Sequence, residues 1–121
     1  MTRANDKKLD ARSEALALAL ARPAIMEMFL GLTEHGQLEV SWDPTLDVPQ
    51  WEGAVEPTEA DFKRIAASRV LFTRGMVSQV QDAGGGKHML CASGQAMAVR
   101  QAYDALPAEL VLESRRQFTQ V

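Results

Sequence analysis

Residues 62–80 read FKRIAASRVLFTRGMVSQV, and the way this stretch folds decides the architecture of the chain. Two readings fit its spacing. Divided into 63–70 and 73–82, it has the pattern of a helix-turn-helix. Ala67 is then the small residue where the helices cross, Val70, Phe72, Val77 and Val80 are the buried apolar positions, and Thr73 caps the second helix. That second helix turns Thr73, Arg74, Ser78 and Gln79 outward, residue types that read base edges in a major groove. Undivided, 58–82 is one amphipathic helix carrying Phe62, Ile65, Ala66, Arg69, Phe72, Met76 and Val80. Only Gly75 interrupts it, at a cost of roughly 1 kcal/mol. The divided reading has a flaw of its own: its turn prefers a glycine with positive φ, and Leu71 stands there.

Around this stretch the charge is uneven. Residues 1–62 hold five Lys/Arg against twelve Asp/Glu, and residues 63–121 hold eight against four, so a net charge of −3 hides halves of −7 and +4. A basic half that begins at the motif is what a polyanion-binding surface requires, and Lys63, Arg64, Arg69 and Lys87 are its candidate phosphate contacts. Equally, the two halves attract each other, within one chain or between copies. Ten acidic residues against the single base Arg22 between 13 and 62 also suit a protein partner for the acidic half.

Before the motif, 5–22 reads as a helix with Asn5 as N-cap and a stripe of Leu9, Leu16 and Leu20; Leu18 falls off that stripe. Pro23 ends it, because proline lacks the donor N–H. A second helix over 24–34 puts Ile25, Phe29 and Leu32 on one face with Met28 beside them, and Gly36 caps its end. The methionines favour core packing over an adaptable binding groove. QLEVSW, 37–42, alternates like a strand, and 43–57 is a proline-rich loop held over the core by Trp42 and Trp51. Thr58 with Asp61 three residues on resembles a capping box.

After the motif, the glycine run 84–86 lacks P-loop spacing and reads as a helix stop and flexible turn, with Lys87 and His88 where a wing or loop would meet a nucleic-acid backbone. Met89, Ala92, Ala96, Val99, Tyr103 and Leu106 form a helical seam, unless Ser93 caps the helix and residues 89–91 are a short strand. A final helix over 108–118 follows Pro107.

Chemistry is sparse. The two histidines, Cys91 and Tyr103 are scattered, and no local nucleophile–base or carboxylate pair exists. Cys91 is the sole cysteine and His35 has no second ligand nearby, so neither a disulfide, a metal site nor a cofactor is implied. No apolar run approaches the roughly 20 residues that span a bilayer, and the N-terminus lacks a signal-peptide core. A cytoplasmic, non-enzymatic protein without membrane contact is expected.

The run 73–79, TRGMVSQ, resembles the recognition helix of TrfB/KorA-type plasmid transcriptional repressors, and the lead-in 57–62, PTEADF, is loosely similar to that family's start. About 25 residues carry the resemblance, and Leu71 departs from it. It implies a mostly helical, dimeric repressor that binds double-stranded operator DNA and is encoded on a phage or plasmid.

The expectation is therefore a mainly α domain with a helix-turn-helix and at most one or two short strands. An acidic helical region with its loop, 1–56, and a motif-bearing part, 57–121, together make one compact unit. The other class of reading is a helical subunit or adaptor of a larger assembly.

Overall fold

Pro23, with no N–H to donate, closes one helix and opens the next. The computed structural model describes residues 3–53 and 55–109, residues 3–10 as backbone alone. Within them α1 (Arg3–Ala19) precedes Pro23, and α2 (Pro23–His35) carries it in its first turn. Asn5 lies inside α1 and does not cap it. The buried stripe of α1 is Ala15, Leu18 and Ala19, spaced three and four apart, so Leu18 packs inward and Leu20 faces out, contrary to expectation, while Leu16 of the expected stripe packs partly against the core. α2 buries Met26, Met28, Phe29 and Leu32, and Gly36 at φ 76° turns the chain out of it.

From there the architecture departs from a mainly helical domain. β1 (Gln37–Val40) is followed by a loop, α3 (Glu59–Thr73), β2 (Val77–Gly84), β3 (Lys87–Ala92) and α4 (Gly94–Asp104). The fold is α+β, with four helices and a three-stranded antiparallel sheet in the order β1-β3-β2 among the described residues. The helix expected over 108–118 falls mostly outside them.

The helix-turn-helix is absent, and so is the long helix over 58–82. Thr58 does open α3 with a full capping box, its hydroxyl accepting from Asp61 N–H while the Asp61 carboxylate accepts from Thr58 N–H. The end of α3 is set by Gly75 at φ 80°. Gly75 N–H donates to the Phe72 carbonyl (3.1 Å) and Met76 N–H to the Leu71 carbonyl (2.9 Å), the bond pattern of a glycine-terminated helix. Leu71 and Met76, the two ends of that motif, are both fully buried and anchor it. Gly75 is thus a stop signal, and the residues beyond it leave as a strand.

That strand disguises its period. Val77 pairs with Ala92 and Gln79 with Cys91, so Ser78 is an extra residue in a β-bulge. The bulge brings Val77 and Val80, three apart, onto one sheet face opposite Ala92 and Leu90. Spacing of three, which suggested a helix, is here produced by a bulged strand. The two-residue turn Gly85-Gly86, with φ of 63° and 77°, is the double positive-φ hairpin connection that glycine favours. Ser93 caps α4 by accepting from Ala96 N–H, and the strand alternative for residues 89–91 is the correct one.

One core joins these layers. Phe29, Leu32, Leu71, Met76, Leu90 and Val99 are fully buried within it. α2 packs on α3 and on β1, while α1 packs on α4. Arg100 ties α4 to α2, donating to Thr33 Oγ1 (2.9 Å) and the Leu30 carbonyl (3.3 Å).

Candidate functional site

The four residues expected to read bases share no helical face. Thr73 is the last residue of α3 and its hydroxyl donates to the Val70 carbonyl at 2.9 Å. Arg74 is the C-cap of α3 and reaches back to α1, its Nη1 2.8 Å from Glu14 Oε2. Ser78 is the bulge residue, with its hydroxyl near the carbonyls of Cys91 (3.3 Å) and Ala92 (3.4 Å). Gln79 lies on β2, exposed. A groove-reading helix over 73–82 is therefore ruled out by the backbone itself.

The expected phosphate contacts are placed differently. Lys63 and Arg64 are exposed on α3. Arg64 lies 3.8 Å from Glu27 of α2, and Lys63 has no ion pair among the described residues. Arg69 is held more firmly: it donates to the Pro44 carbonyl (2.8 Å), sits 3.7 Å from Asp47 and lies over the Phe72 ring at 5.7 Å. Lys87, beside the hairpin turn, meets Glu39 of β1 at 3.6 Å. His88 Nε2 is 3.0 Å from Glu52 Oε2.

A pattern runs through these contacts. Glu27, Asp47, Glu14, Glu39 and Glu52 belong to the acidic first half, and their partners Arg64, Arg69, Arg74, Lys87 and His88 belong to the basic second half. The charge asymmetry of the sequence is largely resolved as attraction within one chain. Most of these pairs are well exposed, and such pairs contribute about 0–1 kcal/mol each, so they organise the surface without locking it.

The loop between β1 and α3 is the feature that the sequence could place only in outline. Trp42 is buried and its indole N–H donates to Ser68 Oγ at 2.8 Å, while Trp51 stacks on it at 5.8 Å with planes 26° apart. Trp51 in turn donates to the Val55 carbonyl (2.7 Å). The loop closes against the hairpin, because Gly86 comes so near the Glu52 carbonyl that a Cβ would sit 2.6 Å from it. Asp43, although burial opposes its charge, has its pKa lowered by hydrogen bonds from the Thr45 hydroxyl and N–H, aided by His88. Asp61 has its pKa lowered, chiefly by the hydrogen bond from Thr58 N–H, which desolvation opposes and the Thr58 hydroxyl and Arg64 assist.

Most of the exposed large apolar side chains among the described residues fall here too, Leu20 and Met97 apart. Leu46, Val48 (75%), Val55 (78%) and Phe62 (59%) lie in this loop or in the first turn of α3, among Asp47, Glu52, Glu56 and Glu59. The signal was present in the sequence as an acidic, proline-rich run, but its exposure depends on which apolar residues the tryptophans leave outside.

Among the described residues no group of three His, Cys, Asp or Glu side chains could hold a metal ion. Nor is any helix long and apolar enough to cross a membrane. No family model, no curated protein and no solved structure matches the chain.

Proposed function

We propose that this chain is a non-enzymatic regulator that binds double-stranded DNA through α3 and the β2–β3 hairpin. One observation carries the reading: the succession of helix α2, strand β1, helix α3 and hairpin β2–β3, with the sheet in the order β1-β3-β2. That is the order of a winged DNA-binding domain, in which the helix before the hairpin enters a groove and the hairpin follows the backbone. The first helix of the usual reading pair is replaced here by the tryptophan-pinned loop. Fold analogy of this kind raises the case for DNA binding and does not define the sequence read.

The exposed residues of α3 and the hairpin supply suitable chemistry. Lys63 and Arg64 project from the helix, and Lys87 flanks the turn. Phosphates would replace the acidic partners of Arg64 and Lys87 at small cost, since exposed pairs are weak. The same acids would hold down binding to arbitrary DNA, which favours discrimination over bulk affinity. Pairing of two copies would present two such faces to an operator with two-fold symmetry, as in a transcriptional repressor of a mobile element.

A second reading rests on a separate observation. The acidic loop and first turn of α3, with Leu46, Val48, Val55 and Phe62 exposed, suit an adaptor docking on a basic, partly apolar protein surface.

Selection of genomic fragments at about 50 and 200 mM salt separates the two readings. DNA binding predicts one shared sequence at the higher salt, weakened by Arg64→Ala and by Lys87→Ala. Recovery of no preferred sequence in either condition would leave the adaptor.

A further inference from the structure

A concavity lies between the start of α2 and α3. Its floor is Pro23, Ile25, Ala66 and Val70, and Arg22 and Lys63 stand at its edge. The cavity measures about 530 Å³, within the roughly 300–1,000 Å³ typical of small-molecule sites. Ala24, Ala66 and Ala67, three small side chains, also line it.

The charges at its edge have no acidic partner among the described residues. Most cations with described side chains pair with an acid, whereas Arg22 and Lys63 have no ion pair among the described residues. A third donor adjoins them. Pro23 has no N–H, and Ile25 and Met26 N–H both donate to the Arg22 carbonyl (3.0 and 3.2 Å), while no side chain caps α2. Ala24 N–H has no hydrogen-bond acceptor among the described residues and lies at the positive end of the helix dipole.

We propose that this groove binds a small amphipathic carboxylate. The hydrocarbon part lies on Ile25, Ala66 and Val70, and the carboxylate sits between Arg22 and Lys63. An apolar floor with two unneutralised cations at one edge matches a monoanion with an aliphatic or aromatic body better than a neutral hydrocarbon or a polyanion. The inference does not rest on DNA binding. If both hold, the ligand competes with phosphate for Lys63 and becomes a regulatory signal.

The test is calorimetric titration of the full chain with decanoate below its micelle concentration, beside decanol and decyltrimethylammonium. Decanoate is expected to bind one to one, about tenfold or more tighter than either control. Arg22→Glu combined with Lys63→Glu should remove that preference while leaving decanol unchanged. Ala66→Phe, at an exposed position, should fill the groove and abolish binding of all three, with helicity retained by circular dichroism. Equal binding of decanoate and decanol, no binding of decanoate, or unaltered binding by Ala66→Phe would each overturn the proposal. So would sedimentation showing a dimer that Ala66→Phe splits, because the groove would then belong to a second copy.

Discussion

Trp42 and Ser68, twenty-six residues apart, share a buried hydrogen bond of 2.8 Å from the indole N–H to the serine hydroxyl. The Ser68 hydroxyl in turn donates to the Ile65 carbonyl at 2.7 Å. The loop that carries Trp42 is thereby fastened to the middle of α3, and with it the side chains that border the helix's exposed face.

Removing the acceptor tests that fastening. Ser68→Ala leaves a buried indole N–H unsatisfied and should destabilise the fold by about 1–3 kcal/mol. The expected readout is a lower urea midpoint, with altered tryptophan fluorescence in the native baseline because Trp51 stacks on Trp42.

Gly75 and Gly86 have similar backbone angles, φ 80° and 77°, but different surroundings. A Cβ at Gly75 meets nothing within 4 Å, so Gly75→Ala should cost only the left-handed backbone penalty of about 1–2 kcal/mol. Gly86→Ala adds a clash with the Glu52 carbonyl and should lower the denaturation midpoint further. Comparable midpoints for the two variants would contradict the close approach of loop and hairpin.

Arg74 distinguishes the observed fold from a helix-turn-helix. Its partner is Glu14, and both side chains are partly exposed, so a double-mutant cycle of Arg74→Ala with Glu14→Ala should give a coupling of about 0.2–1 kcal/mol in stability. In DNA-binding titrations Arg74→Ala should weaken the complex less than Arg64→Ala. The opposite ranking would restore Arg74 as a base reader.

Acid stability follows from the cap of α3. Asp61 and Asp43 both have pKa values lowered from the ordinary 3.8, so the stability they contribute is complete above that value and is lost as pH falls through their folded-state values. Melting temperature should therefore drop below about pH 4. Asp61→Asn should flatten that acid limb, and Thr58→Ala should also cost about 1 kcal/mol at neutral pH.

Local chemistry was legible before the fold was known. Pro23 and Gly36 bounded α2 and Thr58 with Asp61 opened α3, because each of these acts through backbone geometry within a few residues; Ser93 as the cap of α4 was one of two alternatives, and the glycine run was legible as a turn but not as the turn of a hairpin. Charge sign by half was equally plain. What it meant was not, since attraction within a chain and attraction for a polyanion produce the same composition.

Residues 73–82 had to await the tertiary structure. Leu71-Phe72-Thr73-Arg74-Gly75-Met76 contains a complete helix stop, but a glycine in a helical pattern reads equally as an interruption until Leu71 and Met76 are seen buried together. The bulge at Ser78 then gave β2 the three-residue spacing of a helix. The sequence by itself determined where α2 and α3 start and that residues 84–86 turn, which are matters of local dihedrals and hydrogen bonds; the helix starts read at Asn5 and Thr73 were not those of the fold. Only tertiary structure decided that Val77 and Val80 belong to a strand, because pairing with β3 comes from distant residues and leaves no periodic trace once a bulge breaks the alternation.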